Sequence, residues 1–213
     1  MKKRLVTIGD SITKGTYFEK NDAVFVANPN FSTIVKESLG FEELINYGVD
    51  GVCISSQTQQ CPERAICKTV DTMEMGNLVL VAAGTNDYAT NVPLGNIEDC
   101  TDVSFFGALY VLFKKLNNKQ AKVYIVTPIP RAQDGQNLLG YSLDDYRTAI
   151  MMRAKEFHFH IIDGKKVPIN PKESLEREKY MFDGLHPNTS GHKIYAEYIL
   201  KGIQDCENGN ISI

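Results

Sequence analysis

Apolar residues in this chain form short continuous runs of the length of β-strands. The runs occupy residues 5–8, 44–47, 78–83, 123–127 and 159–163. Each is continuous rather than alternating with polar residues, which is typical of strands covered by other elements on both faces. The pattern therefore predicts about five buried strands in a central sheet.

Between and after these runs, apolar residues recur at the three- and four-residue spacing of amphipathic helices. The clearest sets are Phe105, Leu109, Leu112 and Leu116, then Leu143, Tyr146, Ile150, Ala154 and Phe157, and finally Ile194, Tyr195, Tyr198 and Ile199 within residues 189–204. Strands that alternate with helices predict a parallel sheet with right-handed crossovers and helices on both faces. The expected fold class is α/β, a three-layer α/β/α sandwich.

Nothing in the chain marks a boundary between domains. Its 213 residues contain no internal repeat, low-complexity tract or Pro/Gly-rich linker, so we expect one domain over residues 1–213. Two stretches without periodicity, 128–141 and 164–182, are predicted to be long loops, and the end from residue 207 is expected to fray. Ligands of open parallel sheets bind beyond the carboxyl ends of the strands, so the residues after each strand are candidates for a site.

Composition and charge narrow the class of protein. Hydrophobic residues make up 43% of the chain and charged residues 23%, as in an ordinary globular protein. A net charge of −3, without a basic cluster beyond residues 2–4 and 165–166, argues against a nucleic-acid partner. Only residues 5–8 follow the basic start before Gly9, and no apolar run approaches the roughly 18 residues of a membrane span. We expect neither an export segment nor a membrane span.

The five cysteines are an odd set without a CxxC pair, namely Cys53, Cys61, Cys67, Cys100 and Cys206. This arrangement predicts neither a disulfide framework nor a zinc knuckle. Together with the missing export segment, it favours a reducing cytoplasm. A metal or redox site at the first three cysteines is the alternative, but buried or incidental thiols are the preferred interpretation.

Three histidines lie outside the candidate motifs described below. His158 and His160 have a spacing that can bind metal, but without a third ligand nearby a structural or solvated role is preferred. His192, on the last predicted helix, is expected to be exposed or satisfied. No metal or organic cofactor is expected.

Four motifs follow the predicted strands or lie in a loop at the same edge of the sheet. They are Gly9-Asp10-Ser11, Asn46-Tyr47-Gly48-Val49-Asp50-Gly51, Gly84-Thr85-Asn86-Asp87 and Asp183-Gly184-Leu185-His186. Because the carboxyl ends of parallel strands meet at one edge, we expect the four motifs to lie close together.

These motifs contain the residue types that acyl transfer requires. A serine hydroxyl is a weak nucleophile that needs a base, usually a histidine oriented by a carboxylate, and Ser11, His186 and Asp183 supply these groups. An oxyanion needs preorganised donors, for which the side-chain amide of Asn86 and the N–H groups of Gly51 and Ser11 are suitable. The glycine at 51 lets the backbone approach a substrate without a Cβ in the way.

The order of the four motifs resembles the blocks of the GDSL/SGNH hydrolase superfamily, over residues 9–186. The resemblance implies a flavodoxin-like sheet, with Ser11, Asp183 and His186 as the catalytic triad and Ser11, Gly51 and Asn86 as the oxyanion hole. It implies a serine ester hydrolase that acts through an acyl-enzyme on a small-molecule ester. Short-chain or acetyl esters are expected, with lysophospholipids or acyl thioesters as alternatives from the same superfamily.

Aromatic residues near the motifs also bear on the substrate. Tyr17, Phe18, Phe25 and Tyr141 could line an acyl or sugar subsite, although a surface or core role is the more common one for each. The sequence predicts neither which ester is cleaved nor the oligomeric state.

Each motif also has a purely structural interpretation. Asp10 or Ser11 could simply cap a helix, and the glycine motifs could be turns. Residues 9–15 lack the Gly-Lys-Ser/Thr ending of a phosphate loop, and the GxSxG elbow of α/β-hydrolases is absent. A non-catalytic, flavodoxin-like binding module remains the alternative of another class. The intact set of Ser11, Asn86, Asp183 and His186 favours the enzyme.

Overall fold

The computed structural model describes residues 2–20, 23–119 and 121–209. Its strands are β1 (Arg4–Gly9), β2 (Thr16–Phe18), β3 (Val24–Val26), β4 (Glu43–Gly48), β5 (Leu78–Ala82), β6 (Lys122–Val126) and β7 (His160–Ile162). Its helices are α1 (Ser11–Lys14), α2 (Phe31–Ser38), α3 (Ile66–Thr69), α4 (Thr85–Ala89), α5 (Phe105–Asn117), α6 (Leu143–Glu156), α7 (Ser174–Tyr180) and α8 (Thr189–Glu207).

Five of the strands form a parallel sheet in the order β4-β1-β5-β6-β7. From β1 the chain moves outward to β4 and then returns to the other side of β1 to form β5. The order therefore reverses between β1 and β5, which is the flavodoxin-like arrangement. At such a switch point, the loops beyond the carboxyl ends of the two strands diverge and leave a crevice for a ligand.

Alternate residues of the central strands enter two separate hydrophobic cores. One core lies between the sheet and helices α3, α5 and α6, and the other lies between the sheet and helices α2 and α8. The strand residues of the first core include Val6, Ile8, Val79, Val81 and Ile125, and those of the second include Leu5, Leu78, Leu80, Tyr124 and Val126. The predicted three-layer α/β/α sandwich and its parallel sheet of five strands are confirmed.

Side-chain caps fix the start of the long helices. The hydroxyl of Ser104 accepts from the N–H of Gly107 at the start of α5, and Ser142 forms a reciprocal capping box with Asp145 at the start of α6. The apolar residues predicted to line these two helices are buried, except for Phe157, which follows the last residue of α6 and is partly buried.

The prediction that every strand is buried on both faces holds only in part for β4, whose Leu44 packs on one core and whose Ile45 and Tyr47 pack on the other. This strand lies at the edge of the sheet with β1 as its neighbour, and its side chains are only partly buried, with Asn46 exposed. An edge position leaves one side of a strand without a neighbour, so apolar residues there contribute less to the core.

One predicted loop contains regular structure, and so does a stretch near the start of the chain for which no element was predicted. Residues 16–18 and 24–26 pair as the antiparallel hairpin β2–β3. The stretch 164–182 contains a 3-10 turn (Gly164–Lys166) and helix α7, none of whose residues is buried. A charged helix without an apolar stripe leaves no periodic signal. The other predicted loop, 128–141, contains no helix or strand.

The last helix extends further than predicted. It was predicted to end at residue 204 but continues to Glu207, where fraying was expected to begin. Residues 210–213, for which fraying was also predicted, lie outside the described part of the chain. Within residues 2–20, 23–119 and 121–209, no helix has both the length and the apolar character needed to cross a bilayer.

Candidate active site

Ser11 is the first residue of α1, immediately after the turn that follows β1. The buried carboxylate of Asp10 accepts a hydrogen bond from the N–H of Ile12 at 3.0 Å and caps this short helix. The structural interpretation of the Gly-Asp-Ser motif is therefore correct for Asp10. Because Asp10 provides the cap, the hydroxyl of Ser11 is available for another partner.

Glycine at position 9 allows α1 to lie against the end of β5. A Cβ at Gly9 would be 2.1 Å from the carbonyl oxygen of Ala82 and 2.2 Å from the hydroxyl oxygen of Thr13. The hydroxyl of Thr13 also donates to that carbonyl at 3.1 Å. The close approach brings Ser11 to the switch point between β1 and β5.

Ser11, His186 and Asp183 form a continuous hydrogen-bonded chain. Ser11 Oγ lies 2.8 Å from His186 Nε2, and His186 Nδ1 lies 2.5 Å from Asp183 Oδ2. When Nδ1–H donates to the carboxylate, Nε2 is left as an acceptor for the serine hydroxyl. The side chains of His186 and Asp183 are 11% and 26% exposed, so the chain of contacts reaches solvent at its edge.

The second carboxylate oxygen of Asp183 fixes the backbone of its own loop. Asp183 Oδ1 accepts from the N–H groups of Leu185 at 3.0 Å and His186 at 2.8 Å. Burial opposes ionisation of this carboxyl, but the hydrogen bonds and charge of His186 outweigh that effect and lower the pKa of Asp183. Asp183 is therefore a carboxylate at neutral pH.

Neighbouring segments hold the loop that carries Asp183 and His186. The N–H of Ala132 donates to the carbonyl of Gly184 at 2.7 Å, which joins this loop to the one after β6. The side chain of Asn188 caps α8 by accepting from two backbone N–H groups, and its own N–H donates to Tyr180 at the end of α7. The imidazole is thus carried on a loop fixed at both ends.

Asn86 lies in the first turn of α4, just after β5. One N–H of its side-chain amide donates to the carbonyl of Val52 at 3.0 Å. An asparagine amide carries two N–H donors, so this bond orients the group and leaves the second donor free. Asn86 and Ser11 follow the two strands that border the switch point.

Gly51 has φ +69°, a left-handed conformation that glycine adopts without strain. A Cβ at this position would lie 3.8 Å from the side chain of Gln60, an ordinary contact distance. The backbone conformation, rather than a lack of space, therefore favours glycine here. Within the described residues, neither the Gly51 N–H nor the Ser11 N–H donates to a protein acceptor. Both are available to a bound molecule.

Asp87 connects Asn86 to the segment after Gly51. Its fully buried carboxylate accepts from the N–H groups of Ile54 and Ser55, both at 2.9 Å. Burial raises the pKa of Asp87 to about 7, although these backbone donors favour the charged form. Asp87 belongs to the third motif, but no role was predicted for it. Its place beside Asn86 was the signal that could have identified it as a site residue.

Asn46, the first residue of the second motif, lies on β4 and contacts α1 from that strand. Its amide donates to the carbonyl of Thr13 at 2.7 Å, and its oxygen accepts from the N–H of Gly48 at 2.8 Å. Asn46 therefore holds the end of α1 against the end of β4.

Arg131 is a site residue that sequence reasoning missed. Its guanidinium donates to the hydroxyl of Thr85 at 3.2 Å and lies over the ring of Tyr88, 5.4 Å from its centroid. Burial lowers its pKa, which the nearby negative charges only partly offset. Its position in the loop that follows β6, at the edge that carries the other motifs, was the signal that could have identified it.

The remaining histidines lie outside this arrangement. His160, on β7, stacks on Tyr124 with ring centroids 4.7 Å apart, and His158 has φ +55° just before that strand. His192 is not exposed, and one of its two ring nitrogens is satisfied. The side chain is fully buried, Nδ1 accepts from the N–H of Phe31 at 3.3 Å, and Nε2 has no partner among the described residues. The packing of α8 against α2 causes this burial.

The five cysteines, all within the described residues, are free thiols. Burial raises the pKa of Cys53 and of Cys67 to about 12, so neither forms a thiolate near neutral pH. In the part of the chain that the structure describes, no three His, Cys, Asp or Glu side chains are grouped to hold a metal ion.

The four aromatic residues considered for a subsite have different surroundings. The ring of Phe18 lies against His186, with centroids 5.1 Å apart, whereas Tyr17 and Phe25 stack on each other at 5.4 Å. Tyr141 packs against the core on the side of α5 and α6.

Solved structures with the same fold cover nearly the whole chain. A protein from Lactobacillus plantarum is 24% identical, with a TM-score of 0.82, and the match covers 96% of this chain and 97% of that one. A possible lipase from Chitinophaga pinensis is 19% identical (TM-score 0.70; 97% and 98% covered), as is a lipase/acylhydrolase from Enterococcus faecalis (TM-score 0.63; 94% and 95% covered). At these identities the likeness shows the fold.

The family is shown by the sequence itself. Comparison with curated proteins finds no significant match. Residues 7–194, which include all four motifs, match the GDSL-like lipase/acylhydrolase family. The chain therefore belongs to the GDSL-like lipase/acylhydrolase family and is a hydrolase that acts on esters.

Proposed function

We propose that the protein is a serine esterase in which Ser11 carries the acyl group. The observation that supports this most is the hydrogen-bonded chain from Asp183 through His186 to Ser11 at the switch point of the sheet. It supplies a nucleophile, a base and a group that orients the base, in the geometry that acyl transfer needs.

In the acylation step, Ser11 Oγ attacks the carbonyl carbon of the ester while His186 Nε2 takes its proton. Asp183 holds the imidazole in the tautomer with Nδ1–H and stabilises the imidazolium that forms. The tetrahedral intermediate then collapses, the bond to the alcohol oxygen breaks, and the imidazolium gives its proton to the departing alcohol. Ser11 is left as an acyl ester.

Water reverses these roles in the second step. His186 Nε2 takes a proton from the water as its oxygen attacks the acyl carbonyl, and the proton passes to Ser11 Oγ as the acid leaves. The chain thus returns to its starting state with one water consumed. The steps require no metal or organic cofactor.

We assign the oxyanion hole to the N–H groups of Ser11 and Gly51 and the side-chain amide of Asn86. The assignment is supported by the free backbone donors and by the bond from Asn86 to Val52, which leaves one amide proton unused. Asp87 helps to fix the position of Asn86 relative to Gly51, because its carboxylate joins α4 to the segment after Gly51. Donors fixed before the reaction stabilise developing charge most effectively.

The substrates we propose are short-chain or acetyl esters of small molecules. Lysophospholipids and acyl thioesters present the same carbonyl to the same groups and are the alternatives. A non-catalytic binding module would have no use for a serine hydroxyl bonded to an imidazole. We also propose a cytoplasmic location, which the five free cysteines support.

Turnover of p-nitrophenyl acetate by Ser11→Ala tests this proposal. We expect kcat/KM to fall at least about 10³-fold, because the variant has no nucleophile to acylate. Ser190→Ala is the matched control, since Ser190 is an exposed serine in the first turn of α8. Activity of Ser11→Ala equal to that of the control would overturn the proposal.

A further inference from the structure

The hairpin β2–β3 exposes apolar side chains beside the active site. Val24, Phe25 and Val26 are 60%, 42% and 56% exposed, although valine and phenylalanine are usually buried. Three consecutive exposed apolar residues on one short strand form a patch that the fold itself does not use.

Strand pairing separates these residues into two faces. Phe18 pairs with Val24 and Thr16 pairs with Val26, whereas Tyr17 pairs with Phe25. Residues that pair across an antiparallel ladder share a face, and neighbouring residues along a strand point to opposite faces. Phe18, Val24 and Val26 therefore lie on one face, which we call the hairpin face.

The hairpin face adjoins the imidazole of His186. Phe18 contacts this ring, with the centroids 5.1 Å apart and the planes inclined by 55°. Val24, which pairs with Phe18, and Val26 belong to the same face, and both side chains are exposed to solvent.

Polar contacts at the end of the hairpin where β2 begins and β3 ends hold this face in place. The hydroxyl of Thr16 donates to Asp50 at 2.6 Å, and Lys14 forms an ion pair with the same carboxylate, directly before Gly51. At the same end, next to the Thr16/Val26 pair, the N–H of Ala27 donates to the carbonyl of Gly15 at 2.8 Å. The hairpin is thus attached to α1 and to the loop that carries Gly51.

Reaction chemistry determines which part of an ester lies near His186. The imidazolium must give its proton to the alcohol oxygen as that oxygen leaves, so the alcohol side of the tetrahedral carbon faces Nε2. The acyl chain occupies a different direction from the same carbon.

We propose that the hairpin face is the binding site for the alcohol part of the substrate, and that it favours apolar alcohols. The inference rests on the proposed function, because it takes His186 as the proton donor to the leaving group. Its consequence is a selectivity: kcat/KM increases with the length of the alcohol at constant acyl group. Hydrolysis of the acyl-enzyme, from which the alcohol has already left, does not depend on that length.

Two matched ester series test this selectivity. The first is methyl, butyl and hexyl acetate, and the second is methyl acetate, butyrate and hexanoate. The variant is Val24→Thr/Val26→Thr, which keeps the shape of both side chains and their preference for strands. Val103→Thr is the control, because Val103 is also 60% exposed but lies in the loop before α5.

In the wild type, we expect kcat/KM to increase roughly 1.5- to twofold for each methylene added to the alcohol, since an open face covers only one side of the chain. The double variant is expected to lose most of this dependence, while its kcat/KM for methyl acetate stays within twofold of wild type. Its dependence on acyl length, and both dependences of Val103→Thr, are expected to remain unchanged.

The inference is overturned if the double variant keeps the wild-type dependence on alcohol length, if the wild type shows none, or if the acyl dependence changes instead. In each of those cases Ser11-dependent turnover of methyl acetate still supports the proposed function. Absence of Ser11-dependent turnover of every ester contradicts both. Circular dichroism verifies the fold of the double variant, and each single variant is measured if the double variant is unfolded.

Discussion

Two histidines six residues apart, on either side of the start of α8, have opposite surroundings. His186 lies in the loop before the helix, and both of its ring nitrogens have side-chain partners at 2.8 Å and 2.5 Å. His192 lies inside the helix, fully buried, with a backbone N–H as its one partner and Nε2 unpaired. The comparison shows that the groups at each nitrogen, rather than the residue type, determine what a histidine can do.

The electrostatic surroundings of the two histidines differ as well. Burial lowers the pKa of His192 to about 3, so its imidazole is neutral throughout the physiological range. The carboxylate of Asp183, whose pKa is lowered by His186, instead stabilises positive charge on the His186 ring. Burial therefore excludes a proton from His192.

Replacement of each histidine by glutamine is expected to give the largest difference in esterase activity. His186→Gln removes the proposed base, so we expect kcat/KM for p-nitrophenyl acetate to fall at least about 10⁴-fold, about 5.5 kcal/mol in transition-state free energy. The midpoint of urea unfolding is expected to change little, because the loop side chain is partly exposed.

His192→Gln is the control for that loss. It is expected to retain esterase activity within a fewfold of wild type, since His192 contacts neither Ser11 nor Asp183. Equal losses at the two positions would contradict the division of roles between them.

The second prediction concerns stability and pH. The pKa of His192 is lowered in the folded state, so the unfolded chain takes up the extra proton, and stability is lost as pH falls from about 6.5 toward about 3. At pH 5.5 this loss amounts to roughly 1 kcal/mol. His192→Gln cannot be protonated and keeps an acceptor for the N–H of Phe31.

Urea unfolding at pH 7 and pH 5.5 measures this effect. Between the two pH values, we expect the wild type to lose about 1 kcal/mol more stability than His192→Gln. Titration of the other groups is common to both proteins and cancels in the difference. An identical pH dependence in the two proteins would show that His192 does not remain neutral in the fold.

Much of this arrangement could be predicted from the sequence, for identifiable reasons. Buried parallel strands leave continuous apolar runs, and their carboxyl ends meet at one edge, so Ser11, Asn86 and the loop of His186 could be placed together before any contact was known. The cap by Asp10 was also anticipated, because aspartate is a preferred residue at the start of a helix.

The rest depends on contacts between distant residues or on weak local signals. The hairpin β2–β3 has strands of three residues and exposes its apolar side chains, so it resembles a loop in sequence. Helix α7 has no buried residue and hence no apolar period. The burial of His192 requires α2 to pack on α8, and the contact of Arg131 with Thr85 joins positions 46 residues apart.

The most direct test of Ser11 as the nucleophile is to identify the residue that a serine-reactive fluorophosphonate modifies, by mass spectrometry of peptides from the labelled protein. We predict one adduct, on Ser11, that forms rapidly in wild type and His192→Gln and far more slowly in His186→Gln. Labelling of another residue, or labelling of Ser11 at the same rate in all three proteins, would contradict it.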